Sequence, residues 1–205
     1  MTVAAGRHLA RDPVMRALIR RHGPSGLAPH GRSPYEALTR AIAHQQLNGR
    51  AAETILGRFV ALFPSGRFPA PAAVLAARTT TLRRAGFSRA KVRALKDIAR
   101  HALTGVVPTR RACRRLSDDE IIERLTPIRG VGRWTVEMLL IFTLGRLDVL
   151  PVDDFGVREG FRVAYGRRAQ PKPKALLAYG ERWRPYRSFA AWYLWRAANE
   201  AREKR

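Results

Sequence analysis

Two stretches of the sequence decide the fold. Residues 125–134 read LTPIRGVGRW, and residues 148–157 read DVLPVDDFGV. The first joins two predicted helices through a tight turn, and the second ends a short apolar, strand-like stretch at a proline before two carboxylates open another helix. No convincing alternating strand pattern of useful length occurs along the chain. The sequence therefore predicts an all-α fold.

The turn in the first stretch has the pattern G-x-G. Gly130, Val131 and Gly132 stand just before the second helix, where backbone N–H groups lack partners within the helix and the helix dipole favours an anion. Glycine suits the turn because its backbone needs unusual φ angles and because a side chain would hold a phosphate away. With Arg129 and Arg133 beside it, the turn predicts a docking point for one nucleic-acid phosphate. An ordinary helix–helix turn is the alternative.

The two carboxylates of the second stretch are Asp153 and Asp154. Either could serve as the N-cap of the helix that follows, which is the commoner role of an aspartate in such a place. Either could instead present its charge to a bound ligand. The residues alone leave both interpretations open.

The chain is strongly basic. Lys and Arg number 39 against 16 Asp and Glu, which gives a formal net charge of +23. A field of that sign attracts polyanions, so nucleic acid is the first partner to consider. An arginine-rich proteome that uses Arg at ordinary solvated positions is the alternative explanation.

Cysteine content and hydropathy limit the class of protein further. Cys113 is the only cysteine, which excludes an internal disulfide, a four-cysteine zinc site and a cysteine-held iron–sulfur cluster. No apolar run approaches the roughly 20 residues that a membrane-spanning helix needs, and the first 31 residues lack the apolar core of a signal peptide. We expect a cytoplasmic protein with no membrane partner.

Helix-capping signals recur along the chain. Ser33-Pro34-Tyr35-Glu36 reads as a capping box with proline at the first helical position, and it predicts a helix through about Leu47. Other predicted helix starts are at Asp12, Asn48, Ser88 and Ser117, and further helices are predicted at residues 133–144, 155–164, 173–182 and 187–201.

The order of these features resembles the helix-hairpin-helix DNA glycosylase superfamily. The segments IRGVGRWT, DVLPVDDFGVREGF, AIAHQQLNGRAAETI and ERWRPYRSFAAWYLWR carry the likeness, which runs over about residues 33–200. The Trp after GVGR and the closing RSFAAWYLW resemble the 3-methyladenine DNA glycosylase II branch, which repairs alkylation damage. The resemblance implies two helical lobes with an interlobe DNA-binding cleft: a barrel lobe at 34–146, ending in the hairpin, and a second lobe of 1–33 plus 147–205.

The resemblance also implies a reaction. Asp154 matches the family's catalytic carboxylate, and Trp134 stands where lyase-type members carry the lysine that forms a Schiff base. We therefore expect a monofunctional glycosylase that flips alkylated purines, 3-methyladenine and 7-methylguanine, out of duplex DNA and hydrolyses the N-glycosidic bond. The alternatives are a glycosylase for uracil or oxidised guanine, and a non-catalytic DNA-binding module.

Further roles follow from the same resemblance. Trp134 and Trp195 match base-pocket positions, and Phe155 lies beside the aspartate; ordinary core packing is the alternative for each. The stretch Gln45-Gln46-Leu47 matches the segment that fills the gap left by the flipped base, with Gln46 favoured and then Leu47. A helix end with Leu47 in the core is the alternative there.

The resemblance bears on cofactors and partners as well. No cofactor is required and no iron–sulfur cluster is expected, but backbone oxygens of Thr126, Ile128 and Val131 match positions that hold a monovalent cation, Na⁺ or K⁺, in family hairpins. The expected partner is double-stranded DNA with damaged bases, bound by a monomer that associates with the nucleoid.

Overall fold

The computed structural model describes residues 2–204, and among these every regular element is a helix. The predicted all-α fold is therefore confirmed, and the strand-like stretch before Pro151 is irregular backbone. No helix among residues 2–204 is both long enough and apolar enough to cross a membrane. The chain forms two compact units: one comprises His30–Leu139, and the other joins the described residues up to Pro29 with those from Leu140 onward.

The unit His30–Leu139 contains eight helices in the described chain. Side-chain oxygens of Ser33, Asn48, Ser88 and Ser117 cap four of them, as the sequence predicts. The helices are α3 (Pro34–His44), α4 (Gly49–Ala61), α5 (Pro71–Ala76), α6 (Thr79–Arg84), α7 (Arg89–Leu103), α8 (Arg110–Cys113), α9 (Asp118–Leu125) and α10 (Arg133–Leu139).

Helix α7 is the centre of this unit. Its apolar face is fully buried and includes Val92, Leu95 and Ile98. Helices α3 and α5 both pack against it. Polar side chains at the edges of a central helix can reach more than one neighbouring segment. Those of α7 do so near the hairpin.

The other unit is built around a close helix pair. It contains α1 (Val3–Leu9), α2 (Pro13–His22), a π-helical turn (Leu140–Leu144), α11 (Phe155–Ala164), α12 (Pro173–Gly180), a 3-10 turn (Glu181–Trp183) and α13 (Arg187–Glu203). Helices α11 and α13 pack together more extensively than any other pair of helices in residues 2–204. They approach so closely that a Cβ added to Gly160 would overlap the backbone carbonyl of Leu194.

Asp12 joins the N-terminal segment to this helical core. One carboxylate oxygen caps α2 by accepting from Val14 N at 2.9 Å. The other accepts from Tyr165 Oη at 2.7 Å and Trp183 Nε1 at 3.2 Å. Because Asp12 is only 7% exposed, these hydrogen bonds satisfy a charge that would otherwise be costly to bury.

Two helix boundaries differ from those predicted. Helix α3 ends at His44 and not near Leu47, because the next residues form a turn with Gln46 at a positive φ. The predicted helix 133–144 is α-helical only to Leu139 and π-helical beyond. The residues of this π-helical turn belong to the unit of the C-terminal helices, where Phe142 stacks on Trp195 of α13.

Candidate functional site

The predicted hairpin is present between α9 and α10. Helix α9 begins with a complete capping box, in which Glu120 N donates to Ser117 Oγ at 3.2 Å and Ser117 N donates to a Glu120 carboxylate oxygen at 2.6 Å. The chain then turns through two short backbone bonds, from Ile128 N to Leu125 O and from Val131 N to Ile128 O. This hydrogen-bonded turn gives the hairpin one defined shape.

The two hairpin glycines differ in how far the protein itself requires glycine. Gly130 has φ +80°, a left-handed conformation that L side chains rarely adopt, and a Cβ there would lie 3.1 Å from Ile42 Cδ1. Gly132 lies outside the left-handed region, and a Cβ there would meet no protein atom within 4 Å. Nothing inside the protein therefore demands glycine at Gly132, whereas close approach of an external group would.

The backbone amides at the N-terminus of α10 are positioned to bind an external group. The first hydrogen bond of the helix runs from Val136 N to Gly132 O, so the amides of Gly132 and Arg133 precede the helical ladder. The side chain of Val131 is buried, and its amide donates to Ile128 O within the turn. The Arg129 amide is likewise used, donating to Asp97 Oδ2 at 2.9 Å.

Trp134 and Arg133 extend from the exposed start of α10. The Trp134 residue is 46% exposed, so it is not an ordinary core tryptophan of its unit. The Arg133 Nε donates to a carboxylate oxygen of the buried Glu137 at 3.1 Å, one helical turn away. This pair orients the arginine beside the hairpin.

The candidate gap-filling residues lie on a tight turn in the same unit. Leu47 N donates to His44 O at 3.3 Å, with Gln45 at φ −55° and ψ 128° and Gln46 at φ +58°. These angles define a type II β-turn, whose third position normally takes glycine or asparagine. The Gln45 side chain donates to Gly130 O at 3.0 Å, which ties this turn to the hairpin. Leu47 is 40% exposed, so it is not a core residue.

The carboxylate of Asp154 lies in the other unit and caps α11. Its Oδ1 accepts from Val157 N at 2.7 Å and from Trp195 Nε1 at 2.8 Å. The predicted N-cap is therefore present, and a second donor from α13 acts on the same oxygen. The side chain is half-buried, whereas its neighbour Asp153 is exposed.

Trp195 holds this carboxylate from one side and is itself held in place. Its ring stacks on Phe142 with centroids 5.7 Å apart and an interplanar angle of 28°. A Cβ on Gly156 would lie 2.8 Å from Trp195 Cδ1 and 3.1 Å from Asp154 Oδ1. Only glycine at this position leaves room for the hydrogen bond between the indole and the carboxylate.

Phe155 projects outward beside this group. At 72% exposed it is the most exposed of the large hydrophobic residues in residues 2–204. Its apolar surface faces outward from the N-terminus of α11, next to the Asp154 carboxylate.

The loop that leads to Asp154 is anchored by an ion pair. Arg187 Nε donates to Asp148 Oδ1 at 2.7 Å and Arg187 Nη2 donates to Asp148 Oδ2 at 3.1 Å, a bidentate arrangement. Arg187 is only 8% exposed. Ser188 adds two bonds to the same loop, accepting from Val149 N at 3.0 Å and donating to Arg146 O at 2.7 Å. The loop is thus held at the start of α13.

The structure distributes the predicted residues between its two units. Asp154, Trp195 and Phe155 lie in one unit, while the hairpin, Trp134 and the turn with Gln46 lie in the other. The sequence reasoning missed two members of the group around Asp154. Gly156 could have been suspected as a glycine inside a predicted helix, whereas Arg187, between Tyr186 and Ser188, carries no comparable local signal.

Comparison with known proteins finds a matching family model and a similar glycosylase. Residues 39–185 match the family model described as HhH-GPD superfamily base excision DNA repair protein. Over 170 residues the chain is 44% identical to DNA-3-methyladenine glycosylase 1 of Schizosaccharomyces pombe, covering 83% of this chain and 75% of that protein.

Two solved structures are similar throughout their length. The 3-methyladenine DNA glycosylase of Schizosaccharomyces pombe in complex with abasic DNA superposes with a TM-score of 0.85 at 41% identity, covering 94% of this chain and 95% of that one. A DNA-3-methyladenine glycosidase from Bacillus halodurans superposes with a TM-score of 0.88 at 32% identity, covering 99% and 92%.

Proposed function

This chain belongs to the HhH-GPD superfamily of base excision DNA repair proteins, within its 3-methyladenine DNA glycosylase branch, and we propose that it excises alkylated purines from duplex DNA. The reaction is hydrolysis of the N-glycosidic bond after base flipping, with Asp154 as the essential carboxylate. The observation that carries the proposal is the fixed orientation of Asp154 at the N-terminus of α11, held by donors from two helices.

The proposed chemistry uses that orientation. The bond between the sugar C1′ and the purine nitrogen breaks with its electron pair going to the base, which cancels the positive charge of an N-alkylated purine. The sugar becomes oxocarbenium-like, and a preoriented carboxylate stabilises the developing positive charge without having to reorganise. Water then bonds to C1′ and releases a proton, which leaves an abasic site and a neutral base.

Trp134 supports a hydrolytic route. The resemblance to lyase-type members places their Schiff-base lysine at this position, and an indole nitrogen cannot replace an amine as the nucleophile. Water therefore replaces the base at C1′ with no covalent enzyme–DNA intermediate.

The substrate class follows from charge. Alkylation of a purine ring nitrogen makes the base cationic, which weakens its glycosidic bond and makes its ring electron-poor. The Trp195 ring beside Asp154 offers an electron-rich face, and such a contact contributes about 0.5–2 kcal/mol. Because about 1.4 kcal/mol corresponds to a tenfold rate difference, the easier departure of the cationic base supplies the remaining selectivity. Trp134 stays a predicted pocket residue.

The proposal includes DNA as partner and no required cofactor. Damaged duplex DNA docks one phosphate at the hairpin, and the protein acts as a monomer associated with the nucleoid. Carbonyl oxygens of Thr126, Ile128 and Val131 are the donors proposed for Na⁺ or K⁺. Ile128 O already accepts from Val131 N, but a carbonyl has a second lone pair, so the donor set remains suitable for a monovalent cation. Such an ion would add positive charge near the phosphate.

Single-turnover excision from defined oligonucleotides tests this function. We expect 3-methyladenine and 7-methylguanine to be removed much faster than uracil or 8-oxoguanine, and borohydride to trap no enzyme–DNA adduct. Asp154→Asn should abolish nearly all excision with the fold retained, because asparagine also caps helices but carries no charge. The matched control is Asp153→Asn, which should keep most of the activity because Asp153 is exposed.

The possible outcomes separate the parts of the proposal. Faster removal of uracil or 8-oxoguanine would reject the alkylation assignment. Near-normal excision by Asp154→Asn would reject the catalytic assignment, and efficient borohydride trapping would reject direct hydrolysis. DNA binding without excision of any of these bases would leave a non-catalytic module.

A further inference from the structure

Helix α7 contacts both of the segments that the proposed function assigns to DNA in its unit. The Lys91 Nζ donates to Ala43 O at 2.9 Å and to Gln45 O at 2.7 Å, at the turn that contains Gln46. Asp97, farther along the helix, accepts from the Arg129 amide of the hairpin at 2.9 Å. One rigid helix therefore fixes two turns that are distant in sequence.

The β-turn at Gln46 requires stabilisation by the surrounding structure. Gln46 is the only residue other than glycine with a positive φ in residues 2–204, at +58°. A left-handed conformation at a residue with a side chain is strained, and such strain persists only where the surrounding structure imposes it. Glycine would relieve that strain, so glutamine at this position indicates that its side chain has a use.

Lys91 is the strongest of the groups that impose this turn. Its ammonium group is charged, and hydrogen bonds from a charged donor are stronger than neutral ones. The two carbonyls that it binds lie on either side of His44, where α3 ends. Partial burial lowers the pKa of the Lys91 ammonium group, because removal from water disfavours its charged form. The Gln45 side chain then links the same turn to Gly130 O.

We propose that Lys91 is a positioning residue for base flipping, which holds the turn so that Gln46 fills the gap left by the extruded base. Together with the Gln45–Gly130 bond, it sets the gap-filling side chain at a fixed distance from the hairpin that docks the phosphate. Preorganisation of this kind removes the cost of ordering a loop when DNA binds. The inference rests on the proposed function, since it assumes that a base is flipped.

The test compares Lys91→Met with Lys96→Met in the full-length protein. Methionine keeps the apolar stem of lysine and removes its donors. Lys96 is a matched control because it lies on the same helix, is also partly buried and donates to a single helix carbonyl, Leu75 O at 3.1 Å, away from the turn. A duplex with a tetrahydrofuran abasic analogue and 2-aminopurine beside the gap reports insertion by fluorescence, without any need for catalysis.

We expect Lys91→Met to bind undamaged duplex, which has no gap to fill, with affinity within about twofold of the parent, since the hairpin supplies the phosphate contact. Its 2-aminopurine signal should fall clearly, and its single-turnover excision of 7-methylguanine should fall about tenfold, the scale expected for loss of charged hydrogen bonds that place a reacting group. Lys96→Met should match the parent in both measurements. Gln46→Gly should fold at least as stably as the parent yet lose the fluorescence signal.

A parental fluorescence signal in Lys91→Met would overturn the positioning role. An equal loss of signal in Lys91→Met and Lys96→Met would also overturn it, since α7 would then matter only for folding. A parental signal in Gln46→Gly would remove Gln46 as the gap-filling residue. Failure of the proposed function is distinct, because the parent would then excise no methylpurine whatever the fluorescence of the variants.

Discussion

At the scale of single residues, one oxygen of Asp154 serves two partners. Its Oδ1 accepts from Val157 N within α11 and from Trp195 Nε1 of α13. Two donors at 2.7 and 2.8 Å fix the rotation of the carboxylate about its side chain. Trp195 was expected only as a base-stacking surface, but in the structure its indole also donates a hydrogen bond to the carboxylate.

Trp195→Phe separates the two roles of the indole. Phenylalanine keeps an aromatic ring to stack on Phe142 but cannot donate to Asp154. We expect single-turnover excision of 7-methylguanine to fall about tenfold, because a carboxylate that rotates must be reoriented in the transition state. The control is Trp192→Phe, on the same helix, whose ring contacts Tyr193. Equal rates for parent and Trp195→Phe would show that the hydrogen bond does not contribute.

At the scale of elements, the close pair α11 and α13 determines where the site forms. Gly160 allows the approach, since a Cβ there would overlap the Leu194 carbonyl. Asp154 caps α11 and α13 carries Trp195, so the spacing of these helices sets the distance between the carboxylate and the indole. The close packing of α11 against α13 therefore also sets the geometry of the site.

Gly160→Ala should destabilise the protein by about 3 kcal/mol or more, because backbone atoms cannot yield as the end of a flexible side chain can. Chemical denaturation followed by circular dichroism measures the loss. Gly57→Ala is the matched control: Gly57 lies inside α4 with no atom within 4 Å of an added Cβ. It should stabilise the protein by about 0.5–1 kcal/mol through helix propensity. Similar stabilities for the two variants would refute the close approach.

Much of the helical framework could be predicted, because caps are local signals. Ser33, Asn48 and Ser117 each begin a helix where the sequence places one. The second half of the box at Ser33 was wrong, since the Glu36 carboxylate accepts from Arg40 Nε at 2.9 Å instead. The end of α3 was also missed, because no local sequence signal predicts a left-handed backbone conformation at a glutamine.

The site could be predicted in part. The family resemblance implies Asp154 as the carboxylate and its place before a helix predicts an N-cap, but its bond to Trp195 joins residues 41 positions apart. Lys91 and Gln45 are equally non-local, bonded across 46 positions. Contacts of this kind depend on how helices pack, which periodicity does not encode. The assignment of these residues to catalysis and DNA binding stays a prediction.

At the scale of the whole molecule, net charge is the dominant property. The formal charge of +23 would draw the protein to any DNA, damaged or not. Such attraction supplies affinity without selecting a base, since phosphate contacts read no sequence. Selection of the lesion then belongs to the chemistry at Asp154.

Binding to undamaged duplex should weaken steeply with salt. Each neutralised phosphate contributes a slope of about −0.9 in log K against log salt, so six or more contacts would cost about a thousandfold between about 50 and about 200 mM. Fluorescence anisotropy with a labelled duplex measures the slope. A shallow slope would mean that the excess arginine reflects proteome composition and contacts few phosphates.

The cap at the start of α11 also constrains how this scaffold can evolve. Removing an N-cap side chain costs about 1 kcal/mol of stability, and Asn, Ser and Thr provide that cap nearly as well as Asp. A descendant that lost its chemistry would still be selected to fold. Inactive descendants should therefore carry Asn, Ser or Thr at the position of Asp154 much more often than Ala or Leu, so that the helix keeps its cap after the reaction is lost.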